Sequence, residues 1–424
     1  MISEYFFPQS TGGTELYVYN LAKVLINLGN EVSVLTCSTQ ETSYNYNQLS
    51  VYTIPFNKTL DKRVITNKTP ADNLDTFIST ITSINPDIIH FHTLTTSISL
   101  FHIEKAKDLG YPVAITSHIP GHICLRGDLL LKNKVVCDGL VEEQKCLSCY
   151  YHSKGIHAPL NTIMSFLTRK LDFLEQITNA AKNKINFFSR ISNCCDAIIV
   201  VSEWQRLMFL SNGFSPTRLH VCRQAIDQVP IKQPKAINEI FTIGFIGRIT
   251  QVKGLHVLLS ALECINETEF HLKIVGLPQP DETAYFQGLK KRASKFTNCT
   301  WLDSLPNSDV PDFLSSLDVL CVPSLWLETG PFVAYESLAV KTPVLGTNIG
   351  GLREIIKENE NGWLFEFNNP ESIKNRIIDL IKKHKRKEHL EIKVTNTRIT
   401  EEMGREMMFI YAKMQLSLPN KIRF

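Results

Sequence analysis

Residues Glu328 to Glu336 read ETGPFVAYE, directly after the apolar run DVLCVPS (Asp318 to Ser324) and its extension LWL. On one unbroken helix the two carboxylates would stand about 12 Å apart along the axis and point in different directions. Pro331 decides against that arrangement, because proline is favoured in the first turn of a helix and disfavoured deeper inside it. The helix therefore starts near Pro331. Glu328 lies in the loop after a buried strand, and Glu336 sits more than a turn inside the helix. Strand, loop and helix in that order are the repeating unit of a parallel sheet flanked by helices.

The same grammar extends in both directions. FTIGFIG (Phe241 to Gly247), FHLKIVG (Phe270 to Gly276) and TPVLGT read as strands. GLHVLLSALECI and IKNRIIDLIKK carry helical periodicity, and GGLREII opens another helix before GWLFEF. In the N-terminal half the strands are EVSVLT (Glu31 to Thr36), DIIHFH (Asp87 to His92), PVAITSH (Pro112 to His118) and DAIIVVSE (Asp196 to Glu203). VPIKQPKAINE (Val229 to Glu239) is polar, holds two prolines and lacks periodicity, as a linker would. The expected organisation is an α/β chain of two Rossmann-like doubly wound domains, 1–232 and 238–395. A C-terminal helical segment, 396–424, is expected to cross back to the first domain. Two such domains would face one another across a cleft lined by strand C-termini, where ligands bind. Only Met1 to Phe7 precede Pro8, so the opening strand is expected to lack a few residues.

Composition removes several classes. The chain has 424 residues, 43% hydrophobic and 21% charged, enough apolar content for two or three cored domains and too much for disorder. Its 45 basic and 42 acidic residues leave a formal charge of +3, which argues against nucleic acid as a partner. No apolar run approaches the roughly 20 residues of a membrane span, and no signal peptide opens the chain. The default compartment is the cytoplasm.

The helix start at Pro331 is the first candidate site. Free N–H groups around Phe332 and Val333, with Gly330 allowing close backbone approach, suit a phosphate. A ligand with a polar ring, a diphosphate and a ribose would place Glu328 on the ring, the helix end on the phosphates and Glu336 on the ribose diol. That describes a nucleotide sugar. Two alternatives stand beside it: ordinary exposed glutamates, or a glycosidase acid/base pair, which needs carboxylates about 5 to 9.5 Å apart. GRITQVKG (Gly247 to Gly254) follows a strand and precedes a helix, so Arg248 and Lys253 could reach the same diphosphate. The plainer reading is two solvated loop cations. In PQSTGGTELYVYNLA, Gly12 and Gly13 lie in the first strand-to-helix loop, where bare backbone can approach a ligand or simply make a turn.

Together these stretches resemble the retaining glycosyltransferases of glycosyltransferase family four, which have the GT-B fold. The resemblance runs from PQSTGGTELYVYNLAKVLINLGNEVSVLT through GRITQVKG to ETGPFVAYESLAVKTPVLGTNIGGLREII and GWLF, with the two glutamates separated by seven residues. It implies that Arg248 and Lys253 hold the donor diphosphate and that Glu328 contacts the transferred sugar. It further implies that Glu336 binds the ribose and that Gly13 approaches the reacting centre. Glu354 matches a further family position. His118, ending the strand PVAITSH, falls where many members carry an active-site histidine, with His90, His92 and His122 as rivals for that place. The implied mechanism is front-face displacement with retention and no protein nucleophile. No Asp-x-Asp occurs, so metal-bridged diphosphate binding is unsupported and no cofactor is expected for catalysis.

Eleven cysteines are present, and Cys124, Cys137, Cys146 and Cys149 look like a set. They fall in GHICLRGDLLLKNKVVCDGLVEEQKCLSC, within an insert at 122–150 directly after His118. One CxxC among four cysteines reads as structural zinc, with free thiols and disulfides as alternatives. The segment 153–192 is helical and mildly basic: Lys154, Arg169, Lys170, Lys182, Lys184 and Arg190 outnumber Asp172 and Glu175. It reads either as a peripheral membrane contact serving a lipid-linked acceptor or as a solvated helix face.

The leading expectation is a retaining, metal-independent transferase moving a sugar from a nucleotide donor to a glycan or lipid-linked glycan. The setting would be bacterial cell-surface polysaccharide synthesis at the inner face of the membrane. A dehydrogenase is disfavoured because no GxGxxG follows a first strand. A non-hydrolysing nucleotide-sugar epimerase and a noncatalytic sugar-nucleotide-binding subunit remain as alternatives. Donor, acceptor and linkage reside in loop shape and are not legible here.

Overall fold

The structure, a computed structural model, describes residues 1–10, 12–56, 69–92, 94–119, 121, 124–132, 135–167, 186–227, 239–279, 282–386 and 398–416. The chain divides into two units, Met1–Gln224 with Thr400–Phe424, and Ala225–Ile399. The candidate linker at 229–239 lies outside the described residues except for Glu239, as does His122. So do Arg169, Lys170, Asp172, Glu175, Lys182 and Lys184 of the basic segment.

In the first unit, helix α1 (Gly13–Asn27) is followed by β1 (Ser33–Ser38), β2 (Thr42–Tyr46) and β3 (Leu49–Pro55). β1 and β3 pair in parallel, and β2 closes a hairpin on β3. Next come α2 (Leu74–Ile84), β4 (Ile89–Phe91), α3 (Leu100–Asp108) and β5 (Val113–Ser117). The insert contributes a small hairpin, β6 (Leu130–Leu131) with β7 (Val135–Val136), then α4 (Glu143–Ser153) and α5 (Leu160–Leu167). The alternation resumes with β8 (Ala197–Val200), α6 (Glu203–Ser211) and β9 (Leu219–Val221). Strands β4, β5, β8 and β9 are parallel in that order. Every residue of β5 and β8 is buried, as strands covered on both faces must be. The opening segment forms no full strand. Only Ile2 bridges, to Leu35 of β1 on one side and Phe91 of β4 on the other.

The second unit runs β10 (Phe241–Ile246), α7 (Leu255–Leu262), β11 (Phe270–Val275), α8 (Thr283–Ala293), β12 (Cys299–Leu302) and α9 (Val310–Ser315). It continues with β13 (Val319–Val322), α10 (Phe332–Ala339), β14 (Val344–Thr347), α11 (Gly350–Ile355), β15 (Gly362–Phe365) and α12 (Pro370–Lys385). The sheet is parallel in the order β12-β11-β10-β13-β14-β15. That is the doubly wound order, with its reversal between β10 and β13, and ligands of such sheets bind outside the strand ends at this point. One face is covered by α7, α8 and α12 around Leu258, Leu262, Ile373 and Ile377, the other by α9, α10 and α11 around Leu314, Ala334 and Leu352. Asp318 pins the reversal, accepting from the Thr242 N–H at 2.8 Å while its own N–H donates to the Thr242 carbonyl.

The last helix, α13 (Thr400–Leu416), belongs to the first unit and packs on α1. Gly404 makes the approach close, since a Cβ there would come within 2.6 Å of Val24. Met403, Met407, Ile410 and Met414 are buried. Among the described residues, no helix is long and apolar enough to cross a membrane.

Candidate active site

The loops after β10 and β13, at the reversal of the second sheet, are sewn to one another. The β10 loop makes a 3-10 turn over Gln251–Lys253 and ends at Gly254, with φ 72°. A Cβ on Gly254 would stand 1.8 Å from the Pro323 carbonyl oxygen, so only glycine fits. The Leu325 N–H donates to the Val252 carbonyl at 2.7 Å, joining the loops one residue further along.

This stitching delivers Lys253 to Glu328. The ammonium donates to Glu328 Oε1 at 2.7 Å, and Ser324 Oγ donates to the same oxygen at 2.8 Å. Lys253 also lies 5.6 Å from the centre of the Trp326 ring. Glu328 is only 6% exposed. Burial pulls its pKa upward, but Lys253, helped by Trp326 and Ser324, holds it below the ordinary carboxylate value, so it stays ionised. Its backbone is fixed as firmly as its side chain. The Gly351 N–H donates to the Glu328 carbonyl at 2.6 Å, and a Cβ on either Gly350 or Gly351 would lie 2.8 Å from that oxygen.

Helix α10 begins at Phe332, with Pro331 as its N-cap and Gly330 at φ 143° before it. No side chain caps it, and the N–H groups of Phe332 and Val333 have no acceptor within the helix. Glu336 is half-buried one turn on, and burial pushes its pKa up to about 6. Its carboxylate has no partner among the described residues. Arg248 is exposed and makes no ion pair among the described residues. Glu354 is half-buried on α11. The two cations of GRITQVKG are therefore unlike: Lys253 is committed to Glu328, while Arg248 is unengaged.

In the first unit, Gly12 caps α1 and Gly13 is its first residue. A Cβ on Gly12 would stand 2.5 Å from Glu15 Oε2, and Ser10 Oγ donates to Glu15 Oε1 at 2.7 Å. A buried carboxylate thus lies beside the helix start that sequence reading had left open to a ligand. His118, past the end of β5, is buried with its ring 4.6 Å from the Tyr17 ring. Its Nε2 is 3.2 Å from Nδ1 of His92. His90 lies 4.0 Å from His92, centre to centre, with Nδ1 at 2.6 Å from Tyr411 Oη and Nε2 at 2.7 Å from Thr116 Oγ1. Burial keeps His90 and His92 well below the ordinary imidazole pKa, hence neutral. Three of the four rival histidines therefore form one buried group. Sequence reading missed Tyr17, Tyr411 and Thr116. The available signal was that His90 and His92, two apart on a strand, share a face.

In the insert, Cys149 Sγ accepts from the Lys132 N–H at 3.3 Å and Arg126 Nη1 at 3.5 Å, and donates to the Leu130 carbonyl. Burial pushes Cys137 up to about 11 and raises Cys146. All the cysteines are free thiols, Cys124 included. Among the described residues, no three or more His, Cys, Asp or Glu side chains are gathered so as to hold a metal ion.

Comparison with known proteins adds to this geometry. Residues 11–228 match the family described as Glycosyltransferase Family 4, and residues 228–396 that described as Glycosyl transferases group 1. The chain is 24% identical to an uncharacterized glycosyltransferase of Methanocaldococcus jannaschii, over 88% of its own length and 86% of the relative's. It is 29% identical to spore coat protein SA of Bacillus subtilis over 34% of its length, spanning 41% of that protein. Its fold resembles that of sucrose-phosphate synthase from Thermosynechococcus elongatus, with a TM-score of 0.70, 16% identity and 98% of each chain covered. HepE of Anabaena in complex with UDP and glucose gives a TM-score of 0.66 at 12% identity, covering 97% of this chain and 98% of that one.

Proposed function

The chain belongs to glycosyltransferase family 4 and has the GT-B fold, and from that premise we propose that it moves a sugar from a nucleotide-sugar donor to a glycan or lipid-linked glycan, with retention. The observation that carries this reading is the arrangement at the β10/β13 reversal. A buried ionised Glu328 is locked to Lys253, beside an uncapped helix start and an unpartnered Glu336. The N–H groups of Phe332 and Val333, after Gly330 and Pro331, would hold the diphosphate, with Arg248 free to close on it. Glu336 would accept from the ribose diol, and Glu328 from sugar hydroxyls.

In the transfer step the bond from the anomeric carbon to the diphosphate oxygen breaks, and the acceptor oxygen bonds to that carbon from the same face. The acceptor proton passes to the departing phosphate oxygen. Negative charge grows on the diphosphate as it leaves, and the helix start, with Arg248 closing on it and Lys253 nearby on Glu328, would stabilise it. These groups supply the positive charge from the chain itself, so in this reading transfer persists in EDTA. His118, with Gly12 and Gly13, would line the acceptor side.

Supply of a lipid-linked acceptor at the inner face of a bacterial membrane, for surface polysaccharide synthesis, is part of the proposal. Its support is the exposed pair Leu160 and Ile163 on α5, one turn apart and shortly before the basic run in the sequence. Absence of binding to anionic vesicles at physiological salt would remove it. The CxxC pair, Cys146 and Cys149, stands one turn apart on α4, but no third ligand is gathered with it among the described residues, so the arrangement does not fit the structural zinc expected of the four-cysteine set; one zinc per chain in the reduced protein would restore that expectation.

Donor turnover with product analysis tests the whole. Sugar attached to an acceptor supports transfer, an epimerised donor supports the epimerase alternative, and binding without turnover supports a noncatalytic subunit.

A further inference from the structure

The cations of α12 do not all find the same kind of partner. Lys374 is paired with Glu371 and Lys385 with Glu269, whereas Lys382 and Lys383 have no carboxylate partner among the described residues. Arg376, Asp379, Lys383 and Arg386 fall at i, i+3, i+7 and i+10, which is one stripe of the helix. With Lys382 they line one side of a cavity of about 140 Å³. Trp363 of β15, the edge strand of the second sheet, lines the other. Its ring is 7% exposed and held in place by the indole N–H, which donates to Asn359 Oδ1 at 3.0 Å. Lys383 is half-buried, with its ammonium 5.9 Å from the centre of that ring. Asn359 precedes β15, and the last turns of α12 run back to it. The cavity therefore lies at the N-terminal ends of the strands, opposite the end where the β10 and β13 loops build the candidate active site.

Basic residues in the last turn of a helix offset its dipole, and that is reason enough for Lys385. It does not explain why cations are gathered around a concavity with an aromatic wall. Asp379 could pair with Lys383 across one turn, yet no ion pair joins them; Lys383 lies against the indole instead. Even with Arg376 assigned to Glu358 and Arg386 set aside, two ammonium groups share the cavity with one exposed carboxylate. Like charges held together repel, and an anion placed between them removes that cost. We propose that this cavity binds a phosphate group, carried by a free phosphorylated small molecule or by a lipid headgroup. A phosphate brings a charge of about −1.5 to −2 and three acceptor oxygens, so it can take N–H bonds from both lysines and a guanidinium at once, where a carboxylate offers two oxygens and one charge. The site is separate from the one that would hold the donor, and its existence does not depend on the proposed transfer.

The test follows the indole N–H signal of Trp363 in 1H–15N correlation spectra of the full-length, 15N-labelled protein. The chain has four tryptophans. Trp363 is assigned by the signal lost in Trp363→Phe or, should that variant not fold, by elimination with the same change at Trp204, Trp301 and Trp326. Inorganic phosphate is titrated in, beside a chloride series at matched ionic strength. The expected result is a saturable shift of the Trp363 signal with phosphate and none with chloride. Lys383→Gln and Lys382→Gln should each weaken the binding at least about tenfold, the scale for losing one charged hydrogen bond. Arg248→Ala, at the candidate donor site, should leave it unchanged. A Trp363 signal that stays still, moves equally with chloride, or titrates as before in both lysine variants overturns the proposal. Flotation with phosphatidylcholine vesicles, with and without phosphatidylglycerol, separates the two sources. Binding to the anionic vesicles that both lysine variants weaken supports a lipid headgroup; a phosphate titration as expected without such binding supports a free phosphorylated molecule.

Discussion

The candidate sites of the two units solve opposite electrostatic problems. In the second unit a full ion pair, Lys253 with Glu328, is held in a nearly dry place by Ser324 and by glycine-only backbone contacts. In the first unit the groups beside His118 are two neutral imidazoles, with Tyr17, Tyr411 and Thr116 around them, and the buried carboxylate at the start of α1, Glu15, meets a hydroxyl, Ser10 Oγ, instead of a cation. A departing nucleotide is an anion and calls for fixed cations and helix N–H groups. A sugar hydroxyl is neutral, and hydrogen-bond donors and acceptors of fixed direction suffice for it. The contrast implies that substitutions in the second unit should be costly through charge, and those in the first unit through orientation.

Lys253→Met should show the largest effect. It leaves Glu328 buried without its cation, at a cost of about 3 kcal/mol, the lower end for a broken buried pair because Lys253 is itself partly exposed. Activity should fall roughly 10²- to 10³-fold, the scale for losing a group aimed at developing charge. Adding Glu328→Leu should recover most of the stability, read by denaturant unfolding, and none of the activity. If the single variant unfolds at the wild-type denaturant concentration, the pair is not the buried device described here. Linkage gives the same sign: the lowered pKa of Glu328 means its stabilisation is present above the ordinary carboxylate value and is lost as pH falls through the lowered one.

The glycines offer the next contrast. Gly351→Ala places a methyl 2.8 Å from the Glu328 carbonyl oxygen and the Gly330 nitrogen, and backbone cannot swing aside. A loss of about 1–3 kcal/mol is expected, with activity down at least tenfold as Glu328 is displaced. Gly12→Ala meets only the carboxylate end of Glu15, a flexible side chain, so its effect on stability should stay under about 1 kcal/mol. Equal losses in the two variants, measured by chemical denaturation, would erase the distinction between the two units.

How much of this was legible in the sequence follows from the same geometry. The parallel alternation, the helix start at Pro331 and the set of candidate residues in the second unit could be read because each lies in one short strand-loop-helix stretch. Their pairing could not. Lys253 and Glu328 are 75 positions apart and meet only because β10 and β13 are neighbours in the sheet. The histidine group draws on four stretches of chain, and its link to Tyr411 spans 321 positions. No spacing rule reaches that far. GGLREII read as a helix opening, but that its glycines serve Glu328 required the packed loop.

A smaller effect separates Glu336 from Glu328 within one unit. The folded pKa of Glu336, about 6, is above its model-compound value of 4.5, so the folded chain binds this proton more tightly than the unfolded chain. Stability from this group is fullest below the lower value and falls as pH rises through the higher one. Donor affinity should run the other way, since only the ionised carboxylate accepts from a ribose diol without giving up a proton. Glu336→Gln should flatten both slopes between roughly pH 5 and 7. Titration calorimetry with a nucleotide sugar is the check; a wild-type affinity already flat there would take Glu336 away from the ribose.

Tyr411→Phe should give the smallest change, and it is informative because it is small. The variant removes one hydroxyl from His90 and leaves Thr116 on the other nitrogen, at a cost of about 1 kcal/mol for one buried hydrogen bond. The orphaned Nδ1 of His90 can then take the lone pair while Nε2–H donates to Thr116, so the ring stays neutral and its tilted contact with His92 persists. Transfer should accordingly change less than about threefold, because the proton between His92 and His118 does not depend on His90's tautomer. A large loss of kcat in Tyr411→Phe, with stability nearly intact, would mean that α13 reaches the histidines by more than packing. The first unit would then depend on a chain of protons ending at Tyr411, and its contrast with the charge-built second unit would have to be redrawn.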